Sequence, residues 1–165
     1  LRQAQVTTKT QAQVTMTQAQ GTGGEQAQGL GRVGKLADAV TLSAFADRVC
    51  AALPATAGGI RVGGDPDRVV RRVAVLAGAG DSLLDVARVS GAEVYVTSDL
   101  RHHPASETLA WADAPALIDI PHWAAEWLWL PQLRDRLKNG LQRLGHSLPI
   151  TVSATVTDPW VLRRP

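Results

Sequence analysis

Between residues 60 and 120 the chain repeats one unit, a short apolar run followed by a segment of helical spacing. Val73-Ala74-Val75-Leu76 is apolar without interruption, as a strand buried on both faces requires. Val94-Tyr95-Val96-Thr97 and Ala116-Leu117-Ile118-Asp119-Ile120 follow as further strands. Helical spacing is predicted between them, over Ser82 to Val89 and over Pro104 to Trp111. Upstream, Leu42, Phe45, Ala46, Val49, Cys50 and Leu53 mark another helix with Thr41 as its cap, and Ile60-Arg61-Val62 reads as a short strand. Downstream, a helical stretch runs from His122 to about Leu144, with Pro131 placed to kink or divide it. Ile150 to Val156 alternates as a last strand. Strands joined through helices imply an α/β fold, a mostly parallel sheet flanked by helices. Function in such sheets gathers at the carboxyl ends of the strands.

Residues 1–28 differ in kind. Gln3-Ala4-Gln5-Val6-Thr7 recurs as Gln11-Ala12-Gln13-Val14-Thr15, and Gln-Ala-Gln returns at 18–20 and 26–28. This low-complexity head has few large apolar side chains to offset its ordering entropy, so disorder is expected. Its alternation would serve as a strand where a partner edge is offered. The globular unit is expected over 29–160, with 161–165 as a tail. Composition excludes several classes. Seventeen Lys and Arg against fifteen Asp and Glu give +2, and aromatic residues make up 4%, a weak basis for nucleic-acid binding. The single cysteine, Cys50, excludes an internal disulfide framework, and it is expected in the core. Neither a membrane span nor a secretory signal is visible, so a cytoplasmic location is expected.

Polar residues crowd two strand ends. His122 and Glu126 are four apart, so a helix puts them on one face, where imidazole and carboxylate together grip one divalent ion. Zinc, iron, cobalt, nickel and manganese all suit such a pair. Asp99, His102 and His103 follow the neighbouring strand and are expected to converge on the same cleft. The alternative is a helix start where His122 and Glu126 meet only water. Gly80-Asp81-Ser82-Leu83 resembles the nucleophile motif of the SGNH esterases, with Asp119 and His122 as the remaining triad members. Against it, the asparagine those enzymes use for the oxyanion is missing, since Asn139 lies in the late helix. Ser82 otherwise reads as a helix cap. Gly29-Leu30-Gly31-Arg32-Val33-Gly34 matches a dinucleotide fingerprint but lacks the preceding strand, and a glycine-permitted turn is expected. Arg61, Arg68, Arg71 and Arg72 form a modest cationic cluster, read as a solvated face.

Taken in order, several motifs resemble one family. They are Gly29 to Gly34, Thr41-Leu42-x-x-Phe45-Ala46, Arg61-Val62-x-Gly64-Asp65, Val73-Ala74-Val75-x-x-Gly78-x-Gly80, Glu93 to His103, Pro121-His122-Trp123-Ala124-Ala125-Glu126, and Thr157-Asp158-Pro159. This order is similar to that of the Nif-three-like dinuclear metal-centre family, whose members carry the name GTP cyclohydrolase I type 2 homologue. The resemblance implies two related α/β halves, assembled as a homohexamer, with two divalent metal ions per site and ligands from both halves. It maps the ligands of the later half onto His122 and Glu126. It makes Asp99 with His102 or His103 cleft-lining, and assigns no catalytic residue. Pro121 and Trp123 replace the Gly and Tyr of the family's segment. The earlier half carries a His-His-Pro segment and a further Asp that residues 1–28 do not supply. The resemblance is therefore to the second half of a two-lobed fold. It implies a truncated metal-dependent hydrolase of cyclohydrolase type or, alternatively, a non-catalytic assembly or regulatory module. A missing half would expose apolar surface, for which Trp127, Trp129 and Leu130 are the candidates.

Overall fold

Three strands carry the apolar runs, and each is buried on both faces. In the computed structural model, which describes residues 29–164 and the backbone of Val14–Thr15, they are β4 (Val69–Ala79), β5 (Val94–Ser98) and β6 (Ala116–Asp119). Alternation sorts their side chains. Val94, Val96, Ala116 and Ile118 meet one hydrophobic cluster with Leu42, Phe45 and Val49 of α1 (Leu42–Ala52) and Ala125 of α4 (His122–Trp127). Tyr95 and Leu117 meet the other cluster, with Leu84 and Ala87 of α2 (Leu84–Val89). α3 (His102–Leu109) lies on that second side, where Ala105 packs against the cluster.

The sheet has six strands in the order β1-β2-β4-β5-β6-β3, adding β1 (Val14–Thr15), β2 (Arg32–Thr41) and β3 (Arg61–Gly63). The α/β layering is as expected. The parallel part is the centre, where β4 pairs with β5 and β5 with β6. Its flanks are antiparallel: β1 on β2, β2 on β4, and β3 on β6. Val14 and Thr15 thus find the partner edge their alternation needs, opposite Val33 and Arg32. The rest of the low-complexity head, and Pro165, lie outside the described residues.

Three local expectations need correction, and the expected division of the long helix falls just upstream of Pro131. The glycine motif at 29–34 does not make a turn but leads into β2, whose Val33 and Leu36 are buried on opposite faces. Cys50 is exposed rather than in the core, because α1 buries the stripe Leu42, Phe45, Ala46 and Val49. The long helix divides at Leu128, between α4 and α5 (Trp129–Arg143), three residues before Pro131. Proline lacks the N–H that would bond the Trp127 carbonyl and its ring crowds that group. Ile150 to Val156 forms no strand; among the described residues nothing pairs with it, and Val156 is 52% exposed.

The arginine cluster ties the edges of this layer together. Arg68 donates to the Ala114 carbonyl, Arg71 to those of Leu36 and Ala37, and Arg72 to that of Ser90. Glu93, just before β5, accepts the backbone N–H groups of Arg71 and Arg72. Burial works against its charge, but the Arg72 and Arg71 N–H groups and the guanidinium charges of Arg68 and Arg72 outweigh it. The carboxyl is held below its ordinary value. Glu93→Ala leaves two strand N–H groups without acceptors and should cost about 1–3 kcal/mol in urea unfolding at neutral pH. A lowered folded-state pKa contributes stability above the ordinary value of 4.5 and loses it as pH falls through the lowered one. The gap between wild type and variant should therefore narrow in acid.

Candidate metal centre

The carboxyl ends of β4, β5 and β6 lie side by side, and each sends a different residue to one spot. After β5 the chain places Asp99 at φ +57°, a left-handed conformation unusual for a non-glycine residue. After β6, Pro121 opens α4, which begins with His122. His122 Nδ1 lies 2.6 Å from Asp99 Oδ2, and its Nε2 lies 3.1 Å from Glu126 Oε1 one turn along the same helix. β4 contributes Gly78. A Cβ there would stand in ordinary contact, 3.4 Å from Glu126 Oε1 and 3.5 Å from His122 Nε2, so the pair sits directly against the strand end. Gly78 is also at φ +86°, where side chains are disfavoured.

The turn after β4 is held from beneath. The Thr97 hydroxyl donates to the Gly78 carbonyl at 3.0 Å and the Tyr95 hydroxyl to the Gly80 carbonyl at 3.1 Å. A Cβ on Gly80 would overlap both hydroxyl groups. Burial pushes the Tyr95 phenol up, which keeps it a neutral donor. His122 titrates above its ordinary 6.5, first because of the hydrogen bond to Asp99. Burial opposes this, and Glu126 adds to it. An imidazolium held between two carboxylates stabilises the fold fully below 6.5, and that contribution fades as pH rises through the raised value.

This pair forms one wall of an open cleft of about 790 Å³. Arg61, Trp123 and Asp99 also line it, and Asp158, Trp160 and Arg163 close it from the C-terminal segment. That segment has no regular secondary structure, and the Trp127 indole N–H pins it by donating to the Ser153 carbonyl at 2.8 Å. His102 does not share the cleft. It lines a neighbouring hollow of about 370 Å³ with Leu100, Ala105 and Leu109, while His103 is exposed and lines neither. The first turn of α3 carries both rings edge to face, 5.3 Å apart and off the cleft side.

The serine triad does not assemble. Asp119 is paired with Arg61 and accepts the Leu100 N–H at 3.1 Å, so its carboxylate is spent on β3 and the β5–α3 turn. His122 turns to Asp99 instead, and no hydrogen bond joins it to Ser82. Ser82 is exposed inside a 3-10 turn (Asp81–Leu83) and caps nothing. Asp81, its neighbour, fixes that turn by accepting the Arg101 N–H at 3.2 Å.

The family model for DUF34/NIF3 (NGG1p interacting factor 3) matches residues 3–159. The chain belongs to the DUF34/NIF3 family. It is 52% identical over 134 residues to the GTP cyclohydrolase 1 type 2 homolog of Mycobacterium leprae, covering 81% of this chain and 34% of that one. Its likeness to the Streptomyces coelicolor protein of the same name is 48% over 136 residues, covering 82% and 47%. A NIF3-related protein from Bacillus cereus superposes with a TM-score of 0.72 at 31% identity, over 82% of this chain and 36% of that one. Staphylococcus aureus protein SA1388 gives 0.70 at 28%, over 80% and 41%. The chain thus spans between a third and a half of these DUF34/NIF3 relatives.

Sequence reasoning missed Gly78 as a wall of the site and the C-terminal segment as its cover. The signals were the Gly78-x-Gly80 spacing directly after an apolar run, and Thr157-Asp158-Pro159. Gly78→Ala should destabilise the protein by roughly 1–2 kcal/mol, from the left-handed backbone alone. Thermal unfolding checks the cost. An unchanged melting temperature would show that the turn relaxes freely.

Proposed function

We propose that this chain is the C-terminal part of a divalent-metal-dependent hydrolase, with His122 and Glu126 as ligands. The convergence of His122 Nε2 and Glu126 Oε1 beside the bare Gly78 backbone carries this reading. Imidazole and carboxylate are the donor set that borderline divalent metals take. Among the described residues no group of three or more His, Cys, Asp or Glu surrounds one point. His122 and Glu126 therefore make half a site, and the remaining positions fall to water or to ligands outside the described residues. A divalent ion there supplies Lewis acidity and lowers the pKa of a water molecule.

The chain's own residues do the rest. Glu126 and His122 hold their donors at one helix turn's spacing. The Trp123 and Trp160 indoles offer flat apolar surface, and Arg163 offers a cation. A planar substrate suits the indoles, and an anionic group on it suits Arg163 and a bound cation rather than the carboxylates of the same lining. The curated relatives carry the name GTP cyclohydrolase 1 type 2 homolog, and hydrolysis at a purine ring carbon, or alternatively at a phosphoester, is the reaction we propose by that analogy.

A second reading, a non-catalytic assembly or regulatory module, draws support from α5. This 15-residue helix buries none of its side chains; Trp129 and Leu137 are 44% and 47% exposed. Trp127 is half-buried and already bonded to Ser153, so it leaves the candidate patch. A homo-oligomer, a hexamer as in the resemblance, would cover this face. No helix among the described residues is long and apolar enough to cross a membrane.

Elemental analysis after exposure to zinc or manganese tests the metal reading. The expected result is weak, substoichiometric metal, because two protein ligands capture far less than a closed set of four. His122→Ala should remove most of it, Glu126→Gln a large part, and Ser82→Ala none. Affinity should rise with pH, since the metal competes with the proton that Asp99 and Glu126 favour on His122. Full retention of metal by His122→Ala would defeat the assignment.

A further inference from the structure

We infer that Asp99 is a positioning residue that sets the tautomer and ring angle of the neutral His122 imidazole, turning the Nε2 lone pair to the Glu126 side. This rests on the metal reading for its purpose, but its geometry stands alone. Asp99 Oδ2 is 2.6 Å from Nδ1, the shorter of the two contacts His122 makes with a carboxylate. An Nδ1–H directed at a carboxylate leaves the lone pair on Nε2, the nitrogen that faces Glu126. Metal-binding histidines are commonly held this way, through the ring nitrogen that does not touch the metal.

The backbone shows that the placement is built. Asp99 sits at φ +57°, the one non-glycine residue with positive φ among the described residues. Both neighbours are tied down. The Ser98 carbonyl accepts the Gly80 N–H at 3.2 Å. The Leu100 N–H donates to Asp119 at 3.1 Å, and the Leu100 carbonyl accepts from Arg61 at 3.3 Å. A left-handed conformation away from glycine persists only where its surroundings over-determine it, and such positions gather at functional sites. The Arg61–Asp119 pair, consumed as it is by structure, gains a purpose: it clamps the turn that aims Asp99.

Two substitutions separate aim from fold. Asp99→Gly keeps the left-handed turn at lower strain and removes the acceptor. Asp99→Asn also tolerates that conformation and retains an oxygen for Nδ1–H. The first measurement is the ¹⁵N spectrum of imidazole-labelled, metal-free protein above the His122 titration. Wild type and Asp99→Asn should show Nδ1–H at His122, and Asp99→Gly should move toward Nε2–H. The second is zinc affinity by competition with a chromogenic chelator. Asp99→Gly should weaken it roughly 10–100-fold, with Asp99→Asn intermediate and the melting temperature of Asp99→Gly, taken above the His122 titration, no lower than wild type. Wild-type tautomer in Asp99→Gly overturns the inference, whatever happens to zinc. Zinc affinity that falls in His122→Ala but not in Asp99→Gly also overturns it while sparing the metal site. Zinc affinity unchanged in His122→Ala removes the metal reading, and the tautomer spectrum then decides Asp99 alone.

Discussion

Every residue of β5 is buried, and the strand lies parallel between β4 and β6. With apolar side chains required on both faces, helices must cover both faces, and the connections must pass over the sheet. α2 and α3 serve one side, and α1 and α4 the other. Three parallel strands then end on the same edge. The polar chemistry of the chain has one place to gather, where Gly78, Asp99 and His122 leave their strands within reach of each other.

The same burial explains how the edge is kept open yet ordered. Thr97 and Tyr95 are both fully buried, so each hydroxyl needs a partner and takes a carbonyl of the β4 turn. These bonds hold Gly80 where a side chain would collide and Gly78 at a left-handed φ that side chains disfavour. The site above remains partly wet: His122 and Asp99 expose 42% and 55% of their side chains. A partly exposed pair of this kind adds little to stability. Its cost in backbone strain at Asp99 makes sense in terms of chemistry rather than folding.

How much of this was legible depends on how far each signal is local. Continuous apolar runs announced β4, β5 and β6, since burial on both faces leaves no other pattern. His122 and Glu126 were legible because one helix turn relates them. β2 was hidden: Gly34 and Lys35 separate Val33 from Leu36, and its pairing with β4 slips between Lys35 and Val40. The alternation at Ile150–Val156 misled for the opposite reason, because a strand needs a neighbour and not only a period. His102 and His103 come within five residues of the end of β5, and Asp99 comes directly after it. The first turn of α3 carries them away, and only the left-handed bend at Asp99 decides which residue faces the cleft. No local pattern encodes that bend.

The chain spans less than half of its relatives' length. The proposed function places a divalent ion between the His122 imidazole and the Glu126 carboxylate of this chain. Anomalous diffraction from crystals soaked in zinc, collected on both sides of the absorption edge, locates any bound ion directly. A peak adjoining both His122 Nε2 and Glu126, with Asp99 still on Nδ1, is the predicted result. Peaks confined to other histidines, with the His122–Glu126 hydrogen bond intact, would contradict it.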